Sequence, residues 1–202
     1  MSKILELVNG NALEHGVTMF VDHGGSSGTK MHALSQVAGA QVAAGTSVEN
    51  STTETAASRG VIPANTLVAG STIRLYAAGV VEDNNSTDTL KIRVRLGSSA
   101  TPASNQELLG TLAVDAEDSD IYVVSGLIQV RTAGSSGTAV ALFSYQDPDA
   151  SGTAPKMSYK ASFSLDTTVA NNLDLTATWS VAHADNEMNS EMFVVDICNP
   201  GT

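Results

Sequence analysis

Between residues 90 and 96 the chain alternates without a break: Leu90, Ile92, Val94 and Leu96 are separated by Lys91, Arg93 and Arg95. A period of two sends successive side chains to opposite faces of a strand, so this segment has one aliphatic face and one cationic face. Leu173, Leu175, Ala177, Trp179 and Val181 alternate in the same way with Asp174, Thr176, Thr178 and Ser180. Both segments read as half-buried antiparallel strands. Seven further strand candidates span residues 52–57, 72–81, 107–114, 121–131, 138–145, 156–165 and 191–197. Turn-forming clusters separate them, among them Asp83-Asn84-Asn85-Ser86, residues 97–105, residues 115–120, Ala133-Gly134-Ser135-Ser136-Gly137, residues 147–152 and Asn171-Asn172. These candidates, with no convincing helix from residue 49 onward, predict an all-β protein, an antiparallel β-sandwich. An immunoglobulin-like domain would use about seven strands in ~100 residues and, in its antibody form, a cysteine pair. The eight-stranded jelly roll fits the strand count better.

Residues 1–48 have a different texture. Two short apolar stretches, Ile4, Leu5, Leu7, Val8 and then Val17, Met19, Phe20, Val21, are separated by Asn9-Gly10-Asn11 and followed by Gly24-Gly25-Ser26-Ser27-Gly28. Residues 31–44 read as a weak helix, with Ala33, Val37, Ala40 and Ala44 at helical spacing around Gly39. None of this forms a core by itself. The expected organisation is therefore an N-terminal arm over residues 1–48, lying on its own domain, a sister subunit or a larger surface, and a sandwich domain over residues 49–202.

Composition excludes several classes of function. Ten basic against 21 acidic residues leave a net charge of −11, which disfavours phosphate-backbone binding through clustered Lys and Arg, so no nucleic-acid partner is expected. The single cysteine, Cys198, excludes an internal disulfide and any zinc site that needs two thiolates. No run approaches the ~18 apolar residues of a membrane helix, and Met1-Ser2-Lys3-Ile4-Leu5-Glu6 lacks the layout of a signal peptide. The expectation is a soluble product of a cytoplasm with no membrane partner.

The residue patterns that resemble reactive sites lack the context their chemistry needs. Gly24-Gly25-Ser26-Ser27-Gly28 satisfies G-x-S-x-G, but a nucleophile elbow needs an α/β sheet with acid and His partners following in order, so these residues read as a hinge. His15, His23 and His32 read as exposed or interface residues rather than metal ligands. Asp115, Glu117, Asp118 and Asp120 lie in one loop that lacks the Gly and Glu of a calcium-binding hand, and Ca²⁺ is the first ion to test there. Cys198 with His183 lacks an orienting third group, and the thiol reads as a small apolar residue. No catalytic, metal or cofactor-binding residue is assigned, and no cofactor is expected.

The stretch Glu54-Thr55-Ala56-Ala57-Ser58-Arg59-Gly60-Val61-Ile62-Pro63-Ala64-Asn65-Thr66-Leu67, followed by Ala69-Gly70-Ser71-Thr72-Ile73-Arg74-Leu75-Tyr76, resembles a module of tailed-phage virion proteins. There a strand reaches an Ile-Pro-Ala-Asn turn and returns as an Ile-Arg-Leu strand. Asp88-Thr89-Leu90-Lys91-Ile92-Arg93-Val94-Arg95-Leu96-Gly97, Arg131-Thr132-Ala133-Gly134 and Asn171-Asn172-Leu173-Asp174-Leu175-Thr176-Ala177-Thr178-Trp179-Ser180 continue the likeness, which spans about residues 49–198 and leaves the arm uncovered. The resemblance implies a jelly-roll structural protein on the exterior of a phage capsid, of the cement, decoration or head-fibre type. It also implies a homotrimer whose partner is the major capsid protein. The arm positions Ile4, Leu5, Leu7, Val8, Val17, Met19, Phe20 and Val21 are then the capsid-contact candidates, by strand addition or apolar contact. The alternative is an adhesin binding host glycans through loop tips at residues 97–105 or 147–152.

Overall fold

The computed structural model describes residues 35–83, 88–111, 113–115, 118–147 and 156–198. They form β1 (Ser35–Ala40), β2 (Val48–Glu49), β3 (Thr55–Ile62), β4 (Thr72–Glu82), β5 (Thr89–Gly97), β6 (Gln106–Gly110), β7 (Val114–Asp115), β8 (Asp120–Thr132), β9 (Thr138–Gln146), β10 (Lys156–Ser164), β11 (Asn171–Trp179) and β12 (Glu187–Cys198), with a 3₁₀ turn at Pro102–Ser104. The larger sheet runs β1-β12-β4-β8-β9-β10, with β2 also on β12. The smaller runs β3-β11-β5-β6, with β7 also on β5. Every pairing is antiparallel. The strands β1-β12-β4-β8 and β3-β11-β5-β6 are the two four-stranded sheets of a jelly roll, and the β9–β10 hairpin widens the larger one past β8.

The alternation that predicts the strands also builds the core. Leu90, Ile92, Val94 and Leu96 of β5 are buried beside Leu173, Leu175, Ala177 and Trp179 of β11, and face Ile73, Leu75, Val124, Ile128, Phe143 and Val195 of the larger sheet. Trp179 is the largest of these side chains, and its indole Nε1 donates to the Val48 carbonyl at 3.0 Å, which ties β2 to the base of the sandwich. The turn from β3 to β4 follows Ile62-Pro63-Ala64-Asn65. Asn65 takes a left-handed backbone (φ 61°), a conformation that Asn tolerates better than most residues, and its N–H reaches the Thr167 carbonyl at 2.8 Å.

Three elements depart from the sequence reading. Residues 35–40, expected in a weak helix, are the strand β1, paired with β12 from Ser35 opposite Cys198 to Ala40 opposite Val194. The free edge of β12 supplies hydrogen-bond partners that outweigh the weak helical propensity of a segment containing Gly39. The strand expected at residues 107–114 divides into β6 and β7, because the Thr111 N–H donates to the Ile92 carbonyl and the Thr111 hydroxyl accepts from the Ile92 N–H, both at 2.9 Å. The alternation expected to run to Val181 stops at Trp179. Ser180 pairs with Thr89 through its own N–H and its Oγ, both at 2.9 Å, and Val181 is exposed.

Candidate docking face

The two outer faces of the sandwich are chemically different. On the smaller sheet, Asp174 and Thr176 of β11 point outward and yet have no solvent exposure. Arg59 of β3 covers Asp174 with a two-pronged ion pair and also reaches the Ala100 carbonyl at 3.0 Å. Arg95 of β5 grips Glu54 with Nε and Nη2 at 2.9 Å each, while Glu107 bridges Arg93 and Arg95 at 3.3 and 3.1 Å. The Thr176 hydroxyl donates to Glu54 at 2.7 Å. Burial acts to raise the Glu54 carboxyl, but hydrogen bonds from Arg95 and Thr176 and the charges of Arg95 and Arg93 outweigh it and hold the group below its ordinary range. Of the cationic face read from the alternation of β5, Arg93 and Arg95 are thus neutralised by acids on neighbouring elements. This face is closed by polar contacts.

The larger sheet presents the opposite. Strand register aligns Val194, Tyr76, Ser125, Ser144 and Met157 in one row across β12, β4, β8, β9 and β10. The next row holds Asp196, Arg74, Leu127, Leu142 and Tyr159 on the same strands, with Val37 of β1 beyond Asp196. Tyr76, Leu127, Leu142, Met157 and Tyr159 are between 43% and 67% exposed, so five large apolar side chains share one open face. On this face lies a groove of about 450 Å³, lined by residues of both rows. Two small side chains, Ser125 and Ser144, form its floor with their hydroxyls 3.0 Å apart, and Tyr76 and Met157 stand at its two ends. Arg74 and Asp196, 3.2 Å apart, are the charged pair on its rim.

The eight arm positions singled out in the sequence, Ile4, Leu5, Leu7, Val8, Val17, Met19, Phe20 and Val21, lie outside the described residues, as do His15, His23, His32, Ser26 and Glu117. The loop at residues 97–105 is not a free tip. Asn105 holds it to Ser99 through both ends of its amide at 3.0 Å, and Asn172 donates to the Ser99 carbonyl at 3.0 Å. Of the second tip, at residues 147–152, only Asp147 is described. In the acidic segment, Asp120 is buried at the start of β8, and a hydrogen bond to Asp118 raises the carboxyl of Glu82. No group of three His, Cys, Asp or Glu side chains is placed to hold a metal among the described residues. Cys198 and His183 are not brought together: Cys198 ends β12, whereas His183 sits in the turn before β12 begins, beside Asp185 at 3.6 Å.

Sequence reasoning did not find the groove. The signal was available in β8, where Ile121-Tyr122-Val123-Val124 and Leu127-Ile128 place apolar residues at consecutive positions and break the alternation expected of a strand with one wet face.

No family model matches the chain, and no curated protein matches it. Among solved structures, the chain is similar to the CBM2 module of the evolved Dit of Lactobacillus casei BL23 phage J-1, with 9% identity over 71% of this chain and 70% of that one and a TM-score of 0.34. It is also similar to a chain of infectious bursal disease virus, Gx strain, with 8% identity over 93% of this chain and 47% of that one and a TM-score of 0.32.

Proposed function

We propose that the chain is a structural protein of a phage particle, a capsid cement or decoration protein that works by contact rather than catalysis. The observation that carries the reading is the position of β1. Residues 35–40 of the expected arm form the edge strand of the sheet whose outer face is apolar and open, while the opposite outer face is closed by ion pairs. The open face of this sheet is the docking surface in this reading, with the arm as its second contact. The likeness of residues 49–198 to tailed-phage virion modules supplies the kind of partner, the major capsid protein, and a homotrimeric assembly on the exterior of the virion.

The mechanism follows from multivalency. An arm that lies over neighbouring capsid subunits through Ile4, Leu5, Leu7, Val8, Val17, Met19, Phe20 and Val21 links their dissociation, so modest contacts multiply through effective concentration. The net charge of −11 keeps decorated particles mutually repulsive. The test is occupancy on purified particles. The full chain should fill its sites, and a chain lacking residues 1–30 should fold and fail to bind; full occupancy by the truncated chain overturns the proposal.

A second reading, adhesion to host glycans, has one observation in its favour. Tyr76 and Tyr159 are exposed aromatic rings on the two rows of the open face, and such rings can stack on sugars. Binding of the free protein on a glycan array, abolished by Tyr159→Ala, would select this reading, and silence on the array would discard it.

A further inference from the structure

Three polar side chains stand at one end of the sandwich where the alternation of the core calls for apolar ones. Val81 of β4 and Met188 of β12 are register partners, and both belong to the core. Two positions further along, just beyond the strand ends, come Asp83 and Asn186, on the same inward side and one step past the Glu82–Glu187 pair. Asp88 precedes Leu90 of β5 by two positions and is turned inward in the same way. All three are buried. We infer that the carboxylates of Asp83 and Asp88 and the side-chain carbonyl of Asn186 hold a divalent cation, Ca²⁺, at the end of the sandwich where β4, β5 and β12 come together.

The Asn186 amide is the feature that points to an ion. Its Nδ2 donates to Asp88 Oδ2 at 2.8 Å and to the Val181 carbonyl at 3.2 Å, which fixes the orientation of the amide. Its Oδ1 is buried and has no hydrogen-bond partner among the described residues. A buried carbonyl oxygen left in this state keeps the full cost of its desolvation, and a cation beside it removes that cost. Asp88 has a matching need. No ion pair among the described residues includes it, and the group that meets its carboxylate is a neutral amide. Buried carboxylates are as a rule paired with a cationic side chain or bound to a metal.

The donors match Ca²⁺ in kind. Carboxylate and amide oxygens are hard ligands, and Ca²⁺ accepts about six to eight of them in adaptable geometry, with water in the positions the protein leaves open. Mg²⁺ demands a near-octahedral set and sheds its waters reluctantly. The set is two acids and one amide rather than three acids. Around it the field is negative: Glu49, Glu187 and Glu82 stand in one row across β2, β12 and β4, and Asp120 of β8 is buried opposite Val81. Like charges at adjoining register positions oppose one another, and a bound cation relieves them. An ion at this point ties the start of β5, in the smaller sheet, to β4 and β12 in the larger one.

The test uses the full chain free in solution, stripped with EGTA and returned to CaCl₂ or MgCl₂ at constant ionic strength, so that its result is independent of whether the protein binds capsids. Calorimetric titration should detect Ca²⁺ binding, and about 1 mM Ca²⁺ should raise the unfolding midpoint by about 5 °C or more, with Mg²⁺ doing much less. Asp88→Asn keeps an acceptor for the Asn186 amide and removes the charge; it should stay folded in EGTA and weaken Ca²⁺ binding about tenfold or more. Asp83→Asn should do the same and serves if the first variant misfolds. Asp118→Asn, in the exposed turn before β8, should leave Ca²⁺ binding unchanged. Absence of Ca²⁺ binding in the unmodified chain overturns the inference, as does an equal shift with Mg²⁺ or binding that survives both Asp83→Asn and Asp88→Asn. Binding lost in Asp118→Asn but kept in Asp88→Asn also overturns it, because the ion then belongs to the acidic segment before β8.

Discussion

Arg59 and Asp174 meet in a two-pronged ion pair, Nε to Oδ1 at 2.5 Å and Nη2 to Oδ2 at 3.1 Å, in which the carboxylate is wholly out of solvent and the guanidinium about one third exposed. The hydrogen bonds that the guanidinium donates to Asp174 raise it above its ordinary value. The pair joins β3 to β11 at the register Asp174 opposite Arg59. Removing the cation alone should leave a buried charge without compensation, so Arg59→Ala is expected to destabilise the fold by about 3–5 kcal/mol. Arg59→Met with Asp174→Leu should recover most of that loss, because well-packed apolar replacements of buried ion pairs are often neutral. Urea unfolding followed by Trp179 fluorescence measures both; a single variant as stable as the parent would remove the pair from any account of stability.

Acid should expose the role of Glu54. Its carboxyl titrates lower in the folded chain than its ordinary value of 4.5, so below that value the unfolded chain binds the proton first. The stability contributed by Glu54 is therefore complete above about pH 4.5 and is lost as pH falls through the lowered folded value. Glu54→Gln should be less stable than the parent at neutral pH, and the two unfolding midpoints should converge as pH drops below about 4. Glu82 has the opposite sign. Its folded carboxyl is raised by Asp118, so its contribution is present below about pH 4.5 and is lost as pH rises through the raised value. Parallel midpoint-against-pH curves for Glu54→Gln and the parent would contradict the assignment.

Two glycines are held by close approach rather than by turns. A Cβ on Gly79 would overlap the Asn189 carbonyl oxygen, to which the buried Tyr122 hydroxyl donates at 3.1 Å. One on Gly126 would overlap the ring of Phe143, its register partner on β9. Backbone and an inward aromatic ring have little room to give, so Gly79→Ala and Gly126→Ala should each cost about 1–3 kcal/mol or more. Gly134 is the control. It has open space around its Cβ position but a φ of 111°, so Gly134→Ala should cost only backbone strain of about 1 kcal/mol. Thermal unfolding of the three variants separates the causes, and equal losses at Gly126 and Gly134 would show that packing is not what selects glycine in β8.

The fold was legible where one physical signal dominated. The alternation at Leu90, Ile92, Val94 and Leu96 and at Leu173, Leu175, Ala177 and Trp179 stated which faces are buried, and these strands stand beside each other in register at the centre of the smaller sheet. What could not be read was anything set by a partner distant in sequence. Residues 35–40 carry no strand pattern of their own and owe their conformation to β12, more than 150 residues later. Asp174 and Thr176 read as ordinary wet positions, and they are buried because Arg59 and Glu54 arrive from another element to cover them. The docking face was hidden for a related reason. Tyr76, Leu127, Leu142, Met157 and Tyr159 lie on four strands, and only the register of those strands makes them neighbours.

Filling the groove separates docking from folding. Ser144 lies on the outer face, hydrogen-bonded to Ser125 at 3.0 Å, and its hydroxyl and that of Ser125 both border the open groove. Ser144→Leu removes this bond, but solvent at the groove can satisfy the Ser125 hydroxyl left behind, so the change in stability should stay within about 1 kcal/mol. The added side chain occupies the floor between Tyr76 and Met157 and denies the space to any apolar partner. Particle occupancy should therefore fall while the unfolding midpoint barely moves. Leu173→Ala, in the core, should behave in the reverse way: a loss of about 2–5 kcal/mol from the cavity it leaves, with the groove intact and occupancy retained wherever the chain is folded. Undiminished occupancy by a folded Ser144→Leu protein would show that the larger sheet's outer face takes no part in docking.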